Sequence, residues 1–457
     1  MNRFIIVSIP PHENKALILP CLIQGATLMD LSREGIGFRA NFFYRYRRFI
    51  KTLKIYLVIA GPGIIVMIAD NDAGGITTYT ATGARFGFSL IWFLILLGPI
   101  AYVIQEMTVR LGAVTKRGHA EAIFDSFGSF WGWFSLGDLL LVNWLTLITE
   151  FIGMTAALSI FGINPIITVT LVLILLIGII LQGRFWTWEK IVLIFCLLNL
   201  IYIPAAFLIH PDWNTILTSG LIPHFQGGFS GDLFFFLMAN IGTTIAPWMV
   251  FFQQSAVVDK GMKEKDIPWG KFDTAIGAAF TVIVAIFCIV VTGTVLYGSN
   301  IQSAAEAAKA LLHLNQYAGV FLAIGLFDAG LLGAICISLA SSWAFGEVWG
   351  WAHSLNNKIK EAPWFYILYI LILVSAALIV LIPGAPLVLI TLFVQVVAVT
   401  LLPAALVFLI LLLNNEDLMG KYKNNLAQNI ISTIIILFLI TLSTLYCISV
   451  IFPNLFT

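Results

Sequence analysis

Two carboxylates one residue apart, Asp70 and Asp72, sit in the middle of an apolar stretch that reads Ile68-Ala69-Asp70-Asn71-Asp72-Ala73-Gly74-Gly75-Ile76-Thr77-Thr78. An aspartate at the centre of a membrane helix costs about 2.5–3.5 kcal/mol on an insertion scale. The pair therefore costs roughly 5–7 kcal/mol unless it faces water, a cation or an opposite charge. No Lys or Arg falls at mid-depth in any apolar run, which leaves a cation as the expected partner. Main-chain carbonyls freed where a helix unwinds add oxygen ligands. An all-oxygen set suits a hard divalent ion such as Mg²⁺, which often keeps several of its waters. Asp72 is the principal candidate ligand. For Asp70 a second role stays open, as the cap of a half-helix.

The elements that must carry these groups follow from composition. Of 457 residues, 60% are apolar and only 10% charged, against about 25% charged in soluble domains. Mean hydropathy is +0.99, which predicts an integral membrane protein. The formal net charge of +1 suggests no nucleic-acid partner. Runs long enough to cross a bilayer as helices fall at 54–80, 88–110, 132–158, 165–182, 188–210, 232–258, 273–297, 318–348, 363–382, 387–413 and 428–452. They are continuous rather than alternating, so a transmembrane β-barrel is not expected. Lys and Arg cluster before the first run and after the second, fourth, sixth, eighth and tenth; only Arg85 and Lys309 fall in the alternate loops. That alternation predicts eleven spans with the N-terminus cytoplasmic and the C-terminus external.

A second interruption lies in the sixth run, Asn240-Ile241-Gly242-Thr243-Thr244-Ile245-Ala246-Pro247-Trp248. Pro247 removes a helical hydrogen bond and Gly242 eases unwinding. Broken helices at the first position of each of two five-span halves predict an inverted-repeat transporter. The expected organisation is a cytoplasmic tail over 1–50, a transporter core over 51–427, and an eleventh span with a short external end over 428–457.

Other polar groups divide by depth. Glu106 is placed to pair with Arg110 at helical i,i+4 spacing. Glu150 is deeper, with pathway lining and a polar helix contact both open. Asp138 lies near an inner vestibule, and Asp328 is open to an interhelical or a vestibule role. Gln395 either glues helices together or faces the central site. The six His residues fall in loops, the tail or span ends, where none suggests a mid-membrane proton relay. The five Cys show no metal or disulfide spacing and are expected to be inert thiols. No nucleophile–base or metal–His constellation falls at mid-depth, so an enzyme is not expected.

Several motifs then resemble one family. Gly61-Pro62-Gly63, Asp72 with Gly74, Gly83-Ala84-Arg85-Phe86-Gly87, Gln105-Glu106, Arg110-Leu111-Gly112-Ala113-Val114-Thr115, Glu150-Phe151-Ile152-Gly153 and His210-Pro211-Asp212-Trp213 resemble the NRAMP family of metal-ion transporters. The resemblance runs from about residue 55 to 425. It implies an all-α, LeuT-like inverted repeat of five plus five spans, with eleven transmembrane helices and spans 1 and 6 broken.

The departures from that pattern bear on the cargo. The family's Asp-Pro-Gly-Asn reads Asp72-Ala73-Gly74-Gly75, so the carboxylate stays and the amide is lost. Its Ala-x-x-Met-Pro-His reads Thr243-Thr244-Ile245-Ala246-Pro247-Trp248, so a soft thioether gives way to a methyl group. Loss of the soft ligand weakens the preference for transition metals and enlarges the cavity for a partly hydrated Mg²⁺. Positions where the family carries titratable residues hold Gly118 or His119, Trp248 and Gln253, and 363–382 lacks arginine. The pattern looks like the NRAMP-related magnesium transporters, which implies Mg²⁺ uptake without proton coupling. The implied site is Asp72, Asp70, Gly75, Thr243 and Ala246, closed by Gln395. Mn²⁺ is a second candidate cargo, and a proton-coupled Mn²⁺/Fe²⁺ transporter is the main alternative. An amino-acid transporter of the same fold fits less well, since two Asp residues would repel a substrate carboxylate. No resident cofactor is expected, the divalent ion being cargo; the bilayer is the other partner, and a monomer in the cell membrane is the expected state.

Overall fold

The computed structural model describes residues 61–223, 228–301, 303–383, 385 and 387–452; the tail expected over 1–50 and Cys21 lie outside them. Each of the eleven apolar runs is helical where described. The first run is two short helices, α1 (Pro62–Ala69) and α2 (Ala73–Phe86). It is followed by α3 (Ile91–Thr115), a connecting helix α4 (His119–Phe127), α5 (Ser129–Ser159), α6 (Pro165–Ile180), and a fifth run split into α7 (Phe185–Leu198) and α8 (Tyr202–Leu208). After the linking helix α9 (Trp213–Gly220), the second half repeats the order. It comprises α10 (Gly231–Gly242) with α11 (Pro247–Asp259), α12 (Ile267–Val295), connecting helix α13 (Ala304–Leu314), α14 (Gln316–Trp349), α15 (Pro363–Val380) and α16 (Leu387–Asn414). A short α17 (Glu416–Met419) leads to the appended α18 (Leu426–Ile451). Among the described residues, nine helical segments are long and apolar enough to cross a bilayer, while α6 is shorter and α1 and α2 could do so only as a pair.

The two breaks have local causes. Asp72 adopts an extended backbone (φ −72°, ψ 179°) and accepts the Gly75 amide with its side chain, so it caps α2 and separates it from α1. Pro247 occupies the first turn of α11, where its missing N–H costs nothing, and Ala246 before it is extended (φ −99°, ψ 150°).

Connecting helices α4 and α13 hold the same place in each half, but at opposite ends. Gln254 of α11 donates to the Arg117 carbonyl beside α4 (2.9 Å), whereas Asn315 beside α13 donates to the Leu208 carbonyl (2.8 Å). Among the described residues, the basic loops after the second, sixth and tenth runs meet at the α4 end. There Arg110 binds Glu106, the Tyr422 carbonyl (2.9 Å) and Asn424 (2.7 Å), and Lys271 reaches Glu106 at 2.6 Å.

The third spans of the two halves, α5 and α14, pack lengthwise, α12 lies along α1, α2 and α3, and α16 packs on α5 and α10. Of the nine long segments, the broken sixth run is the most enclosed, with 89% of its apolar window buried, against 17% for α18. Leu171 and Ile174 of α6, Ile194 and Leu197 of α7, Leu371 and Leu378 of α15, and Ile434 and Leu437 of α18 are exposed. Such a girdle suits acyl chains and would be unstable in water.

Candidate metal site

The site forms where the two breaks meet α5 and α16. Asp70, Asp72, Thr243, Ala246 and Gln395 are all at most 5% exposed. Asp72 is held by its own helix, with Oδ1 accepting the Gly75 N–H at 2.6 Å. The amide of Ala73 donates to Glu150 Oε2 of α5 at 2.9 Å. The amino end of α2 therefore meets two carboxylates, as its dipole favours.

Glycines allow the close approach. A methyl group built on Gly75 would stand 2.2 Å from Thr243 Oγ1, 3.1 Å from the Asp70 carbonyl oxygen and 3.3 Å from Asp72 Oδ1. One on Gly74 would stand 2.1 Å from Gln395 Nε2, 3.1 Å from Thr149 Oγ1 and 3.3 Å from Asp72 Oδ1. One on Gly242 would meet the Gln395 carbonyl oxygen at 2.0 Å. Gln395 is thus wedged between the two broken helices, and oxygens from both breaks converge on the bare backbone at Gly74 and Gly75.

Three polar atoms in this cluster are buried without a hydrogen-bond partner: Asp70 Oδ2, Thr243 Oγ1 and Gln395 Nε2. Buried polar atoms are almost always paired, so such a group calls for an explanation such as a bound ion. The two ends of the Gln395 amide exchange by a half-turn, so its position can equally offer an oxygen. Among the described residues no Lys, Arg or His pairs with Asp70, Asp72 or Glu150. No three His, Cys, Asp or Glu side chains converge among them either. A cation held here would take few carboxylates and complete its shell with carbonyl, hydroxyl, amide or water oxygen.

Of the residues expected from sequence, Asp72, Gly75, Thr243 and Gln395 are brought together, with Asp70 contributing at least its carbonyl. Asp70 stands at the C-cap of α1 with its backbone, while the Asp72 side chain caps α2. The Ala246 side chain is a methyl group as expected, but its amide donates to Met249 Sδ at 3.3 Å. A thioether therefore stands at the sixth-run break after all, delivered from one turn later. Glu150 makes a polar contact to the break itself. Glu106 is held by Arg110 and Lys271, Asp138 is half-exposed on α5, and Asp328 lies outside the cluster.

Sequence reasoning missed three residues. Tyr79 donates to the Thr243 carbonyl (3.1 Å) and lies 3.1 Å from Thr244 Oγ1, latching α2 to the other break. Its signal is a spacing of one helical turn from Gly75, which puts both on one face. Thr149 lines the Gly74 side. Thr281 of α12 bonds the Met67 carbonyl while its own carbonyl accepts from Asn71 (3.3 Å), fixing the end of α1. Gln253 is tied to Thr274 at 2.8 Å. His119, in the connecting helix, sits 2.9 Å from Gln254 and its burial pulls its pKa down to about 4, so it is neutral near pH 7.

A family model described as natural resistance-associated macrophage protein-like matches residues 63–449. The chain belongs to the Nramp family. The natural resistance-associated macrophage protein 2 homolog of Dictyostelium discoideum is 28% identical to this Nramp protein over 419 residues, covering 86% of it and 63% of the relative's own length. The divalent metal cation transporter MntH of Listeria monocytogenes is 24% identical over 397 residues, covering 84% and 88%. Among solved structures, an Eremococcus coleocola manganese transporter superposes with a TM-score of 0.70 at 19% identity over 87% of each chain. MhsT in complex with L-phenylalanine does so at 0.53 and 14%, over 83% and 98%. These likenesses give the Nramp protein its fold, the all-α LeuT-like architecture with its two broken helices.

Proposed function

We propose that this Nramp protein is a multi-pass transporter of the cell membrane that moves a divalent cation into the cytoplasm by alternating access, with Mg²⁺ as the cargo its site suits best. The observation that carries the reading is the convergence of the unpartnered, buried Thr243 Oγ1, the Asp70 main-chain oxygen and Asp72 Oδ1 on the bare backbone of Gly75, with no basic partner among the described residues. Asp72 acts as the principal acidic ligand, directly or through a water. The Asp70 carboxylate adds negative field, the backbone around Gly75 and Ala246 and the Thr243 hydroxyl supply neutral oxygen, and Gln395 closes the site from α16. The basic loops at the α4 end face the cytoplasm, which also puts the N-terminus there and the C-terminus outside. Entry is driven by the membrane potential, worth about 2.3 kcal/mol per charge per 100 mV. The protein works as a monomer and carries out no covalent chemistry.

Proton coupling is absent in this reading. His119 stays neutral near pH 7, and Trp248 and Gln253 occupy other positions where the family titrates. A second reading, proton-coupled Mn²⁺ or Fe²⁺ transport, is favoured by two specific observations: the Met249 thioether at the sixth-run break, and Glu150 one residue from Asp72 through the Ala73 amide. The names of the bacterial relatives, a divalent metal cation transporter and a manganese transporter, also suit it.

Purified protein in liposomes containing a Mg²⁺ indicator and a pH dye separates the two. Mg²⁺ entry without acidification, lost in Asp72→Ala, supports the first. Mn²⁺ entry with acidification and no Mg²⁺ flux refutes it in favour of the second.

A further inference from the structure

A second group of unpartnered polar atoms lies away from the broken helices. Asp328 of α14 is 1% exposed, and neither of its carboxylate oxygens has a hydrogen-bond partner. It faces Asn199, whose amide oxygen and nitrogen are also both unpartnered and whose side chain is fully buried. Tyr202, equally buried and with its hydroxyl unpartnered, lies close to Asp328 and to the turn of α14 before it. A methyl group built on Gly325 would stand 2.8 Å from the Tyr202 hydroxyl. Three side chains from the fifth run and α14 thus bring five polar atoms to one place where, among the described residues, the only contact partner of the Asp328 carboxyl is the Asn199 amide and no hydrogen bond of good geometry forms, whereas a few isolated exceptions per hundred residues would be ordinary.

The backbone is specialised at the same point. Asn199 opens the 3-10 turn Asn199–Ile201 that separates α7 from α8, so the fifth run changes its winding where it meets Asp328. Such mid-helix turns often mark a hinge or a functional site. The titratable groups facing the carboxyl are Cys196 and Tyr202 from the fifth run; Cys288 of α12 lies against Tyr202, and Cys336 of α14 against Cys196. Among the described residues, no cationic side chain acts on Asp328. An intramembrane carboxylate without a counter-charge is costly, and a single carboxylate with an amide oxygen and a phenol oxygen balances one positive charge rather than two.

We propose that Asp328, Asn199 and Tyr202 form a second cation site, distinct from the cluster at Asp72, that takes one monovalent cation. Sodium and a proton are the two sources of that charge. Gly333, further along the same helix, would carry a methyl group only 2.9 Å from Asp72 Cβ and 2.8 Å from Glu150 Oε2. The helix that bears the second site therefore also backs the first.

The test uses the full-length protein in detergent without divalent cation, following thermal unfolding while Na⁺ replaces choline at constant ionic strength, and separately across about pH 5 to 8. A rise in unfolding temperature with Na⁺ that disappears in Asp328→Asn assigns sodium. A pH dependence indifferent to Na⁺, of which Asp328→Asn removes one titrating component, assigns a proton. In either arm Tyr202→Phe should weaken binding about three- to tenfold, as for one lost hydrogen bond, and Asp72→Asn should retain the response. If Asp328→Asn does not fold, Tyr202→Phe and Asn199→Ala decide in its place, and an unchanged midpoint in both overturns the proposal. It is equally overturned if wild type and Asp328→Asn respond identically in both titrations, or if the response is lost in Asp72→Asn and kept in Asp328→Asn.

Discussion

Adding one methyl group at Gly75 should destabilise this protein, although alanine ordinarily improves a helix. Gly75 lies in the first turn of α2, where replacing glycine gains roughly 0.5–1 kcal/mol from backbone entropy. Against this, the new Cβ would stand 2.2 Å from Thr243 Oγ1 and 3.1 Å from the Asp70 carbonyl, more than about an ångström inside ordinary carbon contact in the first case. Thr243 belongs to the break between α10 and α11, whose carbonyl is latched by Tyr79, so it cannot simply swing aside. Overpacking of this kind costs about 1–3 kcal/mol, and the 2.2 Å approach puts it toward the upper end, so the helix gain is outweighed and a net loss of up to about 2.5 kcal/mol remains. Thr243→Ala removes the atom in the way. Its hydroxyl has no partner, so that change alone should be near neutral for stability, and the double variant should recover most of the Gly75→Ala loss. Thermal or denaturant unfolding of the four proteins in detergent, without divalent cation, closes the cycle. The reasoning is refuted if Gly75→Ala is as stable as wild type, or if the double variant is no better than Gly75→Ala.

Three further outcomes are expected. Asp72→Asn keeps an acceptor for the Gly75 amide, so it should retain stability yet lose cation-induced thermal stabilisation, whereas Asp72→Ala should also cost about 1 kcal/mol as a lost helix cap; equal unfolding midpoints for the two variants would remove the cap from the account. At the basic-loop end, Lys260 and Glu189 pair at 2.6 Å with side chains 2% and 3% exposed; Lys260→Met leaves the carboxylate buried without its partner and should destabilise by about 3 kcal/mol or more, read by denaturant unfolding. His119 is folded as a neutral imidazole whose pKa burial lowers from 6.5 to about 4, so its contribution is intact above pH 6.5 and is lost as pH falls toward 4. That loss amounts to about 3 kcal/mol, and the difference in stability between wild type and His119→Gln should shrink by this amount on acidification.

The broken helices were readable because their causes are local. A carboxylate pair beside two glycines, and a glycine and a proline five residues apart, cannot be accommodated in a plain membrane helix. Among the described residues, basic loops that the sequence assigned to one side meet at one end of the bundle, through contacts such as Arg110 with Asn424. What remained open depended on which neighbour arrives. Asp70 could have been a ligand or the cap of a half-helix, and it ends α1 while the position of the Gly75 amide makes Asp72 the cap of α2. Glu150 could have lined a pathway or touched a helix, and the approach of the Ala73 amide is a tertiary fact. Met249 was invisible as a site residue because it is not at the position where the family pattern carries its thioether, yet the extended Ala246 turns its amide toward that sulfur. Tyr79 looked like one more apolar residue of α2 until the second break was placed against it.

The hydrogen bond from the Gly75 amide has a consequence for ion size. It occupies Oδ1 of Asp72 at 2.6 Å, and turning that oxygen to a metal would uncap α2. With Asp72 as the proposed ligand, a cation arriving beside α2 would find one carboxylate oxygen already engaged by a hydrogen bond and the other open. Calcium, with six to eight oxygens and a readiness to take carboxylates bidentate, loses a ligand by this, while a small octahedral ion that keeps its own waters loses none. On the proposed reading of the site, the bond that starts a helix would then bias denticity, and with it the choice between small and large divalent ions, from the backbone itself.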